Sequence, residues 1–160
     1  MHLSFVSVCI LAKKNKFLIT QRPPNKSYPH FWEFPGGKVE KNESFHDAAI
    51  RELKEELNIN LNQSNLILID TVSHSYVKNH IIMMHVFLVK QWKNKIRANE
   101  KQKMLWVNKK DFKKINFLKG SELILERIRS NFYRFTYEIF KIFFYCIPCV
   151  NIEQLFNYET

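Results

Sequence analysis

The stretch Gly37–Ile59, GKVEKNESFHDAAIRELKEELNI, decides how the rest of the 160-residue chain is read. From Ser44 to Leu57 the apolar residues Phe45, Ala48, Ala49, Leu53 and Leu57 recur at helical spacing. Ser44 with Asp47 makes a capping-box pattern at the start, so the stretch predicts a helix. On it Glu52, Glu55 and Glu56 stand at i, i+3 and i+4 and share roughly one face. A like-charge pair so placed destabilises an isolated helix by roughly 0.2–0.5 kcal/mol, and Arg51, four residues before Glu55, relieves only part of the crowding. A divalent cation would relieve the rest. Mg²⁺ takes hard oxygen ligands and commonly binds a few carboxylates together with substrate phosphates. Alone, three glutamates on a helix read as an ordinary solvated face. The surroundings shift the weight: Gly36 and Gly37 form a sharp loop whose backbone can approach a ligand, and Glu43 sits just before the helix.

Upstream, Val6 to Ala12 and Phe17 to Thr20 read as two strands of a hairpin joined by a polar turn. A Pro-rich loop follows, with Pro23, Pro24 and Pro29, ending in Phe31, Trp32, Phe34 and Pro35. Downstream, Leu66 to Thr71, His80 to Lys90 and Met104 to Val107 are apolar and β-branched enough for strands, and Ser121 to Arg129 reads as a second helix. Strands around a helix, then strands, then a helix, predict an α/β sandwich with a mixed β-sheet.

The residues Gly37, Glu43, Arg51, Glu52, Leu53, Glu55, Glu56, Asn58 and Ile59 resemble the Nudix box, with Asn58 in place of its second glycine. Asn tolerates the left-handed conformation best after glycine, so the departure implies a small stability cost. The run Phe31-Trp32-Glu33-Phe34-Pro35-Gly36-Gly37-Lys38-Val39-Glu40 is similar to the entry of that box in MutT-type enzymes, and the similarity runs from about Val6 to Arg129. The resemblance implies a Nudix-type α/β/α sandwich and a Mg²⁺-dependent nucleoside triphosphate pyrophosphohydrolase, with Mn²⁺ as a substitute ion. The implied substrate is 8-oxo-dGTP, and the implied role is sanitising the nucleotide pool and preventing mutation, in support of DNA replication and repair. It implies Gly37 (through its carbonyl), Glu52, Glu55, Glu56 and Glu100 as metal ligands. Glu52 or Glu100 would be the proton acceptor, Arg51 would hold the glutamates, and Glu43 would be a supporting acid. Arg22 matches a family arginine near the substrate phosphate and Phe34 an aromatic lining the base pocket. Ser121 falls where the bacterial prototype has a base-reading asparagine, and Lys78 where it has an aspartate.

Two alternatives stand beside this one. Tyr76 lies 17 residues past Ile59, near where dinucleoside polyphosphate hydrolases of the family carry a tyrosine, although an aromatic packing on the sheet explains it equally well. A catalytically idle Nudix binding module is the other, and the intact glutamate cluster argues against it. ADP-ribose hydrolysis is disfavoured because no proline lies between Pro35 and Pro148.

Composition agrees with a folded domain: 46% hydrophobic and 25% charged residues suit one core rather than disorder. The net charge of +10 suits a polyanionic partner such as a nucleotide, yet the lysines are scattered, so no stable nucleic-acid complex is expected. Residues 1–130 are read as the Nudix domain and residues 131–160, which hold ten of the 23 aromatics, as a helical accessory tail. The stripe Phe132, Phe135, Ile139, Phe140 and Phe143 suits packing on the domain or a second subunit, so a monomer or homodimer is expected. The tail is too interrupted by charge to span a membrane. Cys9, Cys146 and Cys149 make no disulfide framework, and no convincing signal peptide opens the chain, so a cytoplasmic protein is expected. His74, His80 and His85 lack a metal-ligand spacing and read as packing residues.

Overall fold

The computed structural model describes residues 1–14 and 16–130, and the expectations for the tail, with Cys146 and Cys149, fall outside the described residues. Strand β1 (His2–Lys13) organises the sheet. Its Val8, Cys9, Ile10 and Leu11 are all buried, an unbroken apolar run that suits a strand covered on both faces. β2 (Lys16–Gln21), β3 (Trp32–Glu33) and β4 (Gly36–Lys38) follow, then α1 (Phe45–Leu57). β5 (Leu66–Val77), β6 (His80–Val89), β7 (Lys103–Asn108) and α2 (Lys119–Ser130) complete the order. Short 3₁₀ turns at Gln63–Asn65 and Lys109–Lys114 link them.

The strands run in the order β3-β2-β1-β6-β5, with β4 also paired to β1 and β7 to β2. β1 is parallel to β6 from His2↔His80 to Leu11↔Val89, and the other pairings are antiparallel. The expected hairpin is present only at Ala12↔Phe17 and Lys13↔Lys16. Beyond that point β6 and β4 take up the edges of β1, while β7 and β3 take up those of β2. β5 runs six residues past the expected Thr71, because Ser73 to Val77 continues to pair with β6 as far as Val77↔His80.

α1 lays Ala49, Leu53 and Leu57 against Cys9, Leu11, Leu18, Phe87 and Val89. Full burial of Leu53 and Leu57 contributes about 1.5–3 kcal/mol each. The Ser7 hydroxyl donates to the Phe45 carbonyl (2.6 Å), pinning the start of α1 to the middle of β1. Val8 and Ile10 alternate to the opposite face and are equally buried. α2 packs on β5 with Ile124, Leu125 and Ile128 buried. The result is a mixed sheet covered on both faces, the expected α/β/α sandwich.

Candidate active site

Both ends of α1 are tied down by short-range chemistry. The Ser44 hydroxyl oxygen accepts from the Asp47 N–H (3.1 Å) and donates to the Asp47 carboxylate (2.6 Å). At the other end Asn58 is left-handed (φ 58°), with its N–H donating to the Lys54 carbonyl (3.1 Å) while Ile59 N–H reaches the Leu53 carbonyl (3.4 Å). Asn58 thus does what a glycine would do there.

Arg51 gathers the acids of the helix face. Its guanidinium forks onto Glu43 (2.8 and 3.0 Å) and donates to Glu52 (2.9 Å), Glu55 (3.2 Å) and the Lys38 carbonyl (2.9 Å). The hydrogen bond from Arg51 holds the Glu43 carboxyl below its ordinary value. Glu52 goes the other way, because burial outweighs the pull of Arg51.

Glu56 is the buried member, only 9% exposed. Burial pushes its carboxyl up to about 8, against the Gly36 N–H that donates to it (3.2 Å); the charges of Glu33 and Glu52 act with burial. Gly37 lies against the Glu52 carboxylate so closely that a methyl group there would collide with it, and at Gly36 (φ 136°) one would strike the Ser7 carbonyl. The two glycines therefore let backbone meet carboxylate.

A loop from Arg97 to Gln102 is strapped over the C-terminal carbonyls of α1. Arg97 N–H donates to Leu57 O (3.0 Å), Asn99 N–H to Glu56 O (3.0 Å), the Asn99 side chain to Lys54 O (3.3 Å) and the buried Gln102 amide to Glu56 O (3.0 Å). Gln102 also accepts from Glu100 N–H (3.0 Å), which fixes Glu100 beside the helix acids. Its carboxylate pairs with Lys26 (2.9 Å).

The other end of the site is aromatic. Phe34 is buried and stacked on Phe117, with ring centres 6.1 Å apart. Tyr76 faces Tyr28 (5.3 Å), and its hydroxyl accepts from the Gly120 N–H (2.8 Å), one residue before buried Ser121. Between the two ends Arg22 Nη1 donates to both Glu33 carboxylate oxygens (2.8 and 2.9 Å), and its Nε donates to the Ser27 carbonyl (2.6 Å). Burial raises the Glu33 carboxyl despite that pair.

These acids and aromatics are carried by a chain whose residues 1–128 match the model of the NUDIX domain. The chain belongs to the Nudix family. This Nudix chain is 42% identical over 96 residues to the 8-oxo-dGTP diphosphatase of Proteus vulgaris, spanning 60% of this chain and 81% of that one. It is 35% identical over 102 residues to the CTP pyrophosphohydrolase of Escherichia coli (strain K12), spanning 63% and 73%. The solution structure of the E. coli ORF135 protein matches it with a TM-score of 0.72 at 27% identity, covering 84% of this chain and 94% of that one. Nudix membership makes the chain a hydrolase, and no helix among the described residues is long and apolar enough to cross a membrane.

The fold places Glu52 against Gly37 and Arg51, Glu43 on the far side of Arg51, and Glu56 on the Gly36 N–H, while Glu100 lies on the strapped loop with Lys26 as its carboxylate's partner. Glu55 is half exposed and tied to Arg51. Among the described residues no three acidic, histidine or cysteine side chains stand close enough to grip an ion unaided. Glu52 and Glu55 are paired with Arg51, and Glu100 with Lys26. The donor set nonetheless suits a divalent cation: a buried carboxylate with its charge opposed by burial, and a second acid against glycine backbone. Arg22 is committed to Glu33 and Ser27, while Phe34, Tyr76 and Ser121 line up at the aromatic end. Sequence reading missed Lys26, Tyr28, Glu33, Asn99 and Gln102. Only Glu33 carried a local signal, an acid amid Phe31, Trp32 and Phe34; the others act through contacts that spacing does not encode.

Proposed function

We propose that this Nudix hydrolase is a divalent-metal-dependent nucleoside triphosphate pyrophosphohydrolase whose substrate is 8-oxo-dGTP, cleaved to the monophosphate and pyrophosphate. The observation that carries the reading is Glu56, a carboxylate buried beside Gly36 with Glu52 and Glu33 acting on its charge. Burial disfavours the charged form of such a group, and a cation placed beside it would favour that form. Glu52, Glu55, Glu56, Glu100 and the Gly37 carbonyl would hold that ion, Mg²⁺ or in its place Mn²⁺. Bound there, it would screen the polyphosphate charge and lower the pKa of the attacking water.

The chain's own residues do the rest. Glu52 or Glu100 accepts the proton from water. Arg51 holds Glu52 and Glu55 by salt bridging, and Glu43 holds Arg51 in place. We assign Phe34, Tyr76 and Ser121 to the base, Phe34 being stacked on Phe117 and Tyr76 held by the Gly120 N–H. The identity to the Proteus vulgaris 8-oxo-dGTP diphosphatase supports the substrate, and with that substrate we assign the chain a cytoplasmic place in nucleotide-pool sanitation, guarding DNA replication. The likeness to a CTP pyrophosphohydrolase supports a pyrimidine triphosphate as the second reading.

The test is release of pyrophosphate and monophosphate from 8-oxo-dGTP, dGTP, CTP, diadenosine tetraphosphate and ADP-ribose, with and without Mg²⁺. The proposal expects the highest kcat/KM for 8-oxo-dGTP. Preference for CTP would install the second reading, preference for diadenosine tetraphosphate would move the substrate to dinucleoside polyphosphates, and no turnover of any would leave a binding module.

A further inference from the structure

Arg51 and Lys26 both face acids of the site, and they are held differently. Arg51 is 24% exposed and engages four acceptor groups. Lys26 reaches in from the Pro-rich loop and makes one bridge, to Glu100 (2.9 Å), in which both side chains are more than 40% exposed. Exposed bridges of this kind contribute little and exchange partners readily. The root of the loop is fixed: Arg22 N–H donates to Phe31 O (2.9 Å), His30 N–H to Arg22 O (3.0 Å) and the Arg22 side chain to Ser27 O (2.6 Å). Lys26 N–H closes a turn onto Pro23 O (3.2 Å). A hydrogen-bonded loop thus carries a long, exposed ammonium toward the acids. Its charge reaches Glu56, Glu33 and Glu52 as well as Glu100.

We propose that Lys26 is the resident counter-ion of the acid pocket, that it competes with the divalent cation for Glu100, and that its ammonium passes to the substrate polyphosphate once the pocket is filled. The inference rests on the metal-dependent hydrolase reading of the site. Charge balance drives the exchange: a doubly charged ion beside Glu100 repels the ammonium, and the incoming polyphosphate offers it new oxygens. A lysine, compact and strongly hydrated, suits a phosphate whose position changes between states better than an arginine fork does. Arg22, paired with Glu33, then organises the loop and Lys26 makes the phosphate contact.

The experiment is calorimetric titration of the nucleotide-free full chain with Mn²⁺ alone, for the wild type, Lys26→Met and Lys26→Arg, followed by kinetics on the best triphosphate of the panel. Removing the competing charge should tighten Mn²⁺ binding by about two- to fivefold, the scale of an exposed charge pair. KM should rise at least about fivefold as a charge-assisted contact is lost, with kcat changed less, and Lys26→Arg should move both values back toward the wild type. A residue that only shaped the loop would weaken metal and substrate together. Mn²⁺ affinity unchanged or weakened in Lys26→Met would overturn the inference alone, whereas a wild type that binds no Mn²⁺ would overturn the hydrolase reading and this inference with it. If Lys26→Met melts early, Lys26→Gln carries the same comparison with a polar chain at this exposed position.

Discussion

The acid end of the site and the aromatic end are built on different plans. Glu52, Glu55 and Glu56 project from one capped helix, with Arg51 beside them and Leu53 and Leu57 buried behind. Phe34, Tyr28, Tyr76 and Ser121 come instead from four separate stretches of chain, joined by ring contacts and one hydrogen bond to Gly120. A helix fixes the relative positions of its own residues within a turn or two, so the acid end is set as soon as α1 forms. The aromatic end is set only when β5, the Pro-rich loop and α2 have all docked. Changes at the first should alter chemistry for every substrate, and changes at the second should alter which nucleotide is preferred.

The largest expected effect lies at the acid end. Glu52→Gln removes a charge pressed against Gly37 and should lower kcat/KM by roughly 10³-fold, about 4 kcal/mol of barrier, equally for every nucleotide turned over. A loss confined to one nucleotide in steady-state assays would erase the distinction between the two ends.

A second prediction concerns stability. Glu56 has its folded-state value raised to about 8, so its contribution is fully present below its ordinary 4.5 and is lost as pH rises through about 8. Denaturant unfolding of protein stripped with EDTA should therefore show stability falling across that window, with a shallower fall in Glu56→Gln and in protein given Mg²⁺. Equal slopes in all three would mean that burial of Glu56 is not felt.

The smallest effect is expected at the aromatic end. Tyr76→Phe keeps the ring facing Tyr28 but leaves the Gly120 N–H without its acceptor. It should cost about 1 kcal/mol of stability, measured by thermal or denaturant unfolding, and shift the ratio of KM values between nucleotides while leaving kcat nearly unchanged.

The same contrast explains what could be read before the structure. The spacing of Ala49, Leu53 and Leu57, with Ser44 and Asn58 at the ends, specifies α1 and the shared face of its glutamates from local chemistry alone. The partners of β1 are another matter: Leu11 pairs with Val89 across most of the domain, in a parallel register that no local pattern announces. Strands β3 and β4 are two and three residues long, and their Pro- and Gly-rich surroundings read as loop; only pairing with β2 and β1 makes them strands. Likewise the end of β5 past Thr71 is set by β6, with His74 paired to Ile82 and, after an irregularity, Val77 to His80. The family resemblance implies Glu100, and the strap that carries it, Asn99 and Gln102 on the carbonyls of α1, depends on a tertiary contact. Lys26 was one scattered lysine among many until its loop folded over the acids.

The central claim is that the buried acid of α1 makes this site a metal-dependent hydrolytic centre. The most direct measurement is Mg²⁺-dependent pyrophosphate release by the wild type and Glu56→Gln side by side, with melting curves confirming that both are folded. The account predicts saturable dependence on Mg²⁺ in the wild type and a loss of at least about 100-fold in the variant. Undiminished Mg²⁺-dependent turnover in a folded Glu56→Gln protein would contradict it.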